Sequence, residues 1–583
     1  MTGSHAAGPG AAEPGPERAA SGTAPTRVVL VGWPGADWKL LNRLVDEGQL
    51  PAVRQFMTGG CIGTLSGGRG PSREAIWTSM ATGMRAFDHG VLGPMALDDG
   101  AAEAGISLPR HRRVPAVWEI LESRGLRSHL VGWPVTHGSA PARGCIVSEA
   151  FGHPELARTD SLLSDAVTPA SFRGELEEQW MLGEELDAAV LREFFQQWSG
   201  LDQLPASWLS AGAGALAYTF SRQAAFTWLL ENEPWDFAAV CLPAIEWLDK
   251  RLLRGLNSSE DPAAVQRYLR VLAATYRLLD QMLERIRALA GPEAVVLLVS
   301  PYGFGSGSVH QRVNRRLEQE LGGGSYRGAL GIFAAAGPRF AADKLINGVS
   351  GVDIAPTLLH LFGLPVGKDM EGRVLGELYD EAPEVSSIAS WRGSTTGREK
   401  SPHDDVPGAV LPDTILRTLY EQFIALGVVE RAAPPKNANA ALLDRSLRWT
   451  LAKSYIDGHR PISALPLLED LSAEEPENAN FMLQLANCQL KLGMTDEAHA
   501  MLTVILEDYP DSALAHLCMA YLENRRRRFD QALAHLDAAE QGGASPGMLH
   551  AHRGYALLQM RRWDEALQVF GRAETAAPQD AAG

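Results

Sequence analysis

Val295–Gly305 reads VVLLVSPYGFG, with five consecutive Val or Leu residues followed by a Ser-Pro-Tyr turn. An unbroken aliphatic run of this length is the pattern of a strand buried on both faces, as in a parallel sheet covered by helices. In an open α/β sheet the chemistry sits in the crevice beyond the carboxyl ends of the strands. Ser300, Pro301 and Tyr302 therefore stand where a catalytic group is expected.

Other segments repeat this pattern. Arg27–Gly32, RVVLVG, is a buried strand followed by WPGADW and a helix-like segment, Lys39–Thr58, with apolar Leu40, Leu41, Leu44, Val45 and Leu50 before Pro51. A strand feeding a crossover helix is the first βα unit of a parallel sheet. Ala116–Ser123 reads as a short helix, and Ser128–Trp133 and Phe237–Leu242 as strands. Ala215–Leu230 reads as a helix with apolar Leu216, Phe220, Ala224 and Phe226, and Tyr268–Leu289 as a long amphipathic helix. The fold class expected is α/β, a mostly parallel central sheet flanked by helices.

The words around the strand ends resemble the type I phosphodiesterase branch of the alkaline phosphatase superfamily. SPYGFG resembles that family's SDHGFG signature, and Gly32–Trp38, GWPGADW, resembles GxDGADW. Ile76–Gly83 (IWTSMATG), His89–Gly93 (HGVLG), Gly132–Ser148 and Gly348–Leu375 follow the family's wording. The resemblance implies an alkaline phosphatase-like fold, two zinc ions as cofactors, and a Ser or Thr nucleophile attacking phosphorus to form a phospho-enzyme.

The seven positions that would carry this chemistry read differently here. The metal ligands at the tip of the first strand and in SDHGFG fall on Pro34, Pro301 and Tyr302. The Asp and His after Phe237–Leu242 fall on Pro243 and Trp247. The nucleophile, ten residues before Gly83, falls on Arg73, and the last His, four before Gly331, on Arg327. Ser72 lies one residue from the nucleophile position, so a slip of one would restore a hydroxyl. Zinc needs a cluster of carboxylate, imidazole or thiolate donors, and a two-metal site supplies most of the rate of such an enzyme. The expectation is a pseudoenzyme with no catalytic residues and no metal. Arg73 and Arg327 are candidates for binding an anion, because a guanidinium donates in a fork suited to phosphate oxygens. The alternative is an active metal-dependent phosphodiesterase or phosphatase using displaced ligands such as Asp37, Asp88, His89 or His310. Glu246 is the nearest carboxylate to the Pro243–Trp247 turn. His89 and the lone His137 read as structural, and Asp353 with Pro356 as a helix cap.

Composition bounds the possible partners. The chain has 583 residues, 45% hydrophobic and 21% charged, with formal net charge −17. That charge argues against nucleic acid, whose phosphates need a basic surface. No apolar run approaches the roughly 18–20 residues of a membrane helix, so no membrane insertion is expected. Five scattered cysteines without CxxC spacing suggest a reducing, cytoplasmic setting.

The C-terminal part has a period of 34. Ala464, Ala498, Ala532 and Ala566 keep that spacing, and Ala452, Ala486, Ala520 and Gly554 each lie twelve residues earlier. Leu468, Leu502, Leu536 and Phe570 follow four after the second small residue. Pro476, Pro510 and Pro578 close three units, and Pro546 lies two residues late in the other. One small residue per helix, where paired helices touch, resembles the tetratricopeptide repeat. Such arrays form an all-α solenoid whose concave face binds a protein or peptide.

The expected organisation is a disordered leader over 1–25, an alkaline phosphatase-like domain over 26–382 with a helical insert at about 151–210, a linker with a short helix (413–426) over 383–441, and four repeats over 442–583. Function is expected to be scaffolding or regulation, with a small anionic ligand as a second possibility. A third reading leaves only the repeats functional.

Overall fold

The computed structural model describes residues 27–303, 330–393 and 438–576, apart from 69–71, 98–103, 154–165, 187–190, 192–205, 250–261 and positions 108, 140, 142, 543 and 545. The expected leader, the short helix at 413–426, Arg327 and His310 lie outside the described residues.

In chain order the α/β domain runs β1 (Val28–Gly32), α1 (Trp38–Asp46), α2 (Pro51–Gly59), β2 (Cys61–Ser66), α3 (Arg73–Thr82), α4 (Ala86–His89), β3 (Met95–Leu97), β4 (Ala104–Ile106), α5 (Val117–Ser123), β5 (Ser128–Val131), β6 (Gly144–Val147), β7 (Val167–Thr168), α6 (Arg173–Glu177), α7 (Ala206–Asn232), β8 (Phe237–Cys241), α8 (Pro262–Ala290), β9 (Val295–Val299), β10 (Gly331–Ala336), β11 (Lys344–Ser350), α9 (Ile354–Leu361), β12 (Val366–Gly367) and β13 (Ser387–Ile388). The central sheet has nine strands in the order β11-β2-β10-β9-β1-β8-β5-β6-β7. Only β10 and β7 run against the rest.

The aliphatic runs do what their patterning requires. Every residue of β1, β8 and β9 is buried, and alternate residues enter opposite cores. Val29, Val31, Val296 and Leu298 pack with α1, α2, α7 and α8. Val28, Leu30, Val295 and Leu297 pack with α3, α5 and α9. Helices on both faces are what a continuous apolar strand demands.

Several sequence expectations are corrected. Lys39–Thr58 is two helices, separated where Gly48 takes a left-handed φ of +74° and Pro51 opens α2; proline is tolerated in a first helical turn but not inside a helix. The insert is not purely helical: β7 lies within it and closes the sheet edge antiparallel to β6. The expected linker begins inside the α/β domain, because Ser387 and Ile388 pair with β12 and Trp391 is buried in the same core as α3 and α9. Asp353 stands at the N-cap position of α9, but its side chain makes no capping bond to that helix. Its carboxylate instead accepts the backbone N–H of Ser350 and Arg373, each at 2.9 Å.

The repeats are paired helices: α10 (Ala438–Asp457) with α11 (Pro461–Glu474), α12 (Ala479–Leu492) with α13 (Thr495–Asp508), α14 (Ala513–Arg525) with α15 (Phe529–Gln541), and α16 (Pro546–Gln559) with α17 (Trp563–Ala576). The first starts four residues before the expected 442. Ala452, Ala464, Ala486, Ala498, Ala520 and Ala532 are fully buried where the helices touch. At Gly554 the contact is tighter still, since an added Cβ would lie 2.5 Å from the Phe570 ring. Pro546 starts a helix instead of closing a unit, the favoured first-turn position for proline.

Candidate functional site

The carboxyl ends of four adjacent parallel strands form the floor of the crevice. Gly32 pairs with Cys241 and with Val299, and Val131 with Val240. In this register Pro34, Pro243, Pro301 and Pro134 stand level, one beyond each of β1, β8, β9 and β5, and all four are buried. Pro134 escaped the sequence reading, although Trp33-Pro34 and Trp133-Pro134 repeat the same GWP word. Beyond the row, Gly35 and Gly303 form a parallel bridge, and the Gly67 N–H donates to the Pro301 carbonyl at 2.8 Å.

Arg73 is the first residue of α3, with Ser72 as its N-cap. The Ser72 hydroxyl oxygen accepts the Ala75 N–H at 3.1 Å, which satisfies one of the unpaired donors of the first turn. The hydroxyl that a one-residue slip would supply is thus engaged as a cap.

Arg73 Nε lies 3.0 Å from Glu246 Oε2, the arginine side chain being 25% exposed and the glutamate 7%. The Tyr302 hydroxyl donates to Glu246 Oε1 at 3.3 Å and receives the Trp77 indole N–H at 3.3 Å. Burial works against the Arg73 charge, but Glu246 more than offsets it and holds the guanidinium well above its ordinary value. Burial, and then Glu246, push the Tyr302 phenol well above its own. Burial pushes the Cys241 thiol up to about 11. At neutral pH the group is therefore a cation, a protonated phenol and a protonated thiol beside Glu246, with Glu74 a further 3.9 Å partner of Arg73.

A second guanidinium lies deeper. Arg222 of α7 is fully buried and donates to the carbonyls of Gly132 (3.2 Å), Cys241 (2.9 Å) and Glu149 (3.0 Å) and to the Tyr218 hydroxyl. Its carbon sits 3.9 Å from the centre of the Tyr218 ring. Trp247 packs its ring against Tyr218 and His153, at centroid distances of 5.2 and 5.0 Å. Neither Arg222 nor Tyr218 stood out in the sequence, because this stretch of α7 reads simply as a helix with apolar residues.

These residues do not fit two zinc ions. Three of the positions expected to hold ligands are prolines with no side-chain donor, and Trp247 lies among aromatic rings. Tyr302 is a protonated phenol, and Arg73 brings a positive charge against Glu246. Among the described residues, no three His, Cys, Asp or Glu side chains are grouped to hold a metal. The displaced candidates among the described residues are each committed elsewhere. Asp37 caps α1 by accepting the Lys39 N–H at 2.7 Å, its carboxyl raised by burial to about 6. Asp88 lies 3.6 Å from Arg392. His89 is buried; its Nδ1 accepts the Val91 N–H at 3.1 Å, so Nε2 carries the proton toward Ser79 Oγ and the Ala75 carbonyl. Burial lowers its pKa to about 3. This is a structural histidine, as is His137, which is buried with Nδ1 3.1 Å from Ser148 Oγ.

No helix among the described residues is long and apolar enough to cross a membrane. The protein-family model for type I phosphodiesterase / nucleotide pyrophosphatase matches residues 28–327, and tetratricopeptide models match 455–520 and 519–581. The cellulose synthase operon protein C of Xanthomonas axonopodis pv. citri is 25% identical over 341 residues, covering 55% of this chain but only 21% of that relative. Among solved structures, phosphonate monoester hydrolase of Agrobacterium radiobacter is 14% identical with a TM-score of 0.39, over 62% of this chain and 78% of its own. Human ectonucleotide pyrophosphatase / phosphodiesterase 5 is 11% identical with a TM-score of 0.34, over 58% and 96%. With its α/β domain matched across more than half of the sequence, the chain belongs to the type I phosphodiesterase / nucleotide pyrophosphatase family and carries tetratricopeptide repeats after it.

Proposed function

We propose that this chain has exchanged two-zinc hydrolysis for binding: a pseudoenzyme whose α/β domain serves as a regulatory or scaffolding module while the repeats engage a protein or peptide. The observation that supports it most is the Arg73–Glu246–Tyr302 group, in which an ion pair and a phenol take up three side chains at the site. Tetratricopeptide arrays generally mediate protein contacts, and the repeats carry a groove of 470 Å³ lined by Leu483, Ile505, Tyr509, Asp508 and Asp511, among others.

A small anionic ligand is the second element of the proposal. A quarter of the Arg73 side chain stays open to solvent, so a phosphoryl or carboxylate group would reach it by sharing it with Glu246. The five cysteines are all free and buried, which supports a reducing, cytoplasmic setting.

The test is a pair of measurements on the purified full chain: its zinc content, and turnover of an aryl phosphodiester with added zinc or manganese. Sub-stoichiometric metal and no turnover are expected. Stoichiometric metal, with turnover lost on Asp37→Asn or His89→Gln, would overturn the proposal in favour of a displaced hydrolytic site. Thermal stabilisation by inorganic phosphate, abolished in Arg73→Ala, is expected if the anion element holds; stabilisation unchanged in that variant refutes it.

A further inference from the structure

The first repeat is joined to the crevice rim through a compact seam. Arg85, just before α4, lies 2.6 Å from Glu371 of its own domain and pairs with Asp457 at the end of α10. Arg460, in the turn between α10 and α11, returns to Glu371 at 3.4 Å. Charges thus alternate Asp457, Arg85, Glu371, Arg460 across the domain boundary. Phe87 of α4 stacks on Tyr455 of α10 at 5.0 Å with rings 13° from parallel. The Arg460 guanidinium sits 4.3 Å from the Phe87 ring centre, so the phenyl group is held by an aromatic ring and a cation.

Two glycines, one on each side, allow this approach. A Cβ on Gly458 would fall 2.6 Å from the Phe87 ring. A Cβ on Gly68 would fall 2.6 Å from the Asp457 carboxylate, and Gly68 has a φ of +90° that only glycine adopts freely. The neighbour of Gly68 is Gly67, whose N–H bonds to Pro301 in the crevice floor. Gly67, Ser350, Gly351, Ser454 and Asp457 line the same seam.

We infer that the turn Asp457–Arg460 of the first repeat is an intramolecular docking element that holds Gly67 and Gly68 against Pro301, making the repeat array a positioning part of the crevice rim. The joint sets the direction in which the array presents itself to a partner. It holds whether or not the crevice is catalytic.

Hydrogen exchange on the full chain tests it. In Asp457→Asn, and more strongly in Arg85→Ala, the Gly67 amide should exchange at least tenfold faster, while the amides of β1 and β9 keep their protection. Arg445→Ala, which breaks contacts of α10 with Glu474 and Glu475 inside the repeats, should leave Gly67 unchanged. If Gly67 keeps its protection in both seam variants, or loses it equally in Arg445→Ala, the joint is a tether and the inference fails.

Discussion

Glu246→Gln is the substitution on which the reading of the crevice turns. It removes one charge while keeping the size of a side chain that faces both Arg73 Nε and the Tyr302 hydroxyl. Two unit charges about 4 Å apart attract by about 4 kcal/mol at the effective dielectric near a protein surface. Arg73 is a quarter exposed, so solvent screening should reduce the net coupling to about 1–2 kcal/mol. A cycle of Arg73→Met, Glu246→Leu and the double variant isolates that coupling in urea unfolding of the full chain, followed by tryptophan fluorescence from the α/β domain. The double variant should be less destabilised than the sum of the single ones by that 1–2 kcal/mol. The same pairing predicts an opposite effect on ligand. Glu246→Gln releases Arg73 from its carboxylate, so phosphate should bind up to about tenfold more tightly, equivalent to about 1.4 kcal/mol, while the unliganded protein loses stability. Single effects that add within about 0.3 kcal/mol, or phosphate binding unchanged in Glu246→Gln, would refute the reasoning.

Acid should weaken the α/β domain. His89 and His129 are held neutral by burial, at about 3 and about 4, so their contribution is full above pH 6.5 and is lost as pH falls, at about 1.4 kcal/mol per unit each. Asp37, raised to about 6, acts with the opposite sign and returns about 1.4 kcal/mol at pH 5, leaving a net loss near 3 kcal/mol from these three groups between pH 7 and 5; a urea midpoint that does not fall over that range contradicts this. Gly554→Ala should destabilise the last repeat by about 1–3 kcal/mol through overpacking against Phe570, measured as helicity lost on heating. Truncation after Tyr379 should unfold or aggregate the α/β domain, since it removes β13 and the buried Trp391; a stable product with unchanged melting would restore the linker boundary at 383. The five buried thiols should react with an aromatic disulfide reagent only after denaturation.

The parts legible in the chain were those carried by local pattern. Five aliphatic residues in a row at Val295–Val299 could only be a strand covered on both faces. Small residues repeated every 34 positions placed all eight repeat helices. The prolines at the strand tips, Pro34, Pro243 and Pro301, were also legible, because they stand inside wording that otherwise follows the family's. Boundaries set by distant partners were not legible. Ser387–Ile388 and Trp391 look like linker until β12 and the core are seen to receive them. Val167–Thr168 looks like part of a helical insert until β6 offers its edge.

The sequence by itself determined the α/β class, the repeats and which residues stand at the strand tips, since periodicity and residue identity are properties of the chain alone. Tertiary structure decided what surrounds those residues. Register across four strands levelled Pro134 with the other prolines. Folding brought Glu246 to Arg73 and Tyr302, placed Arg222 under the strand tips, and set Asp457 against Gly68. Each of these depends on residues from 19 to 389 positions apart meeting, and no local pattern encodes which distant partners will meet.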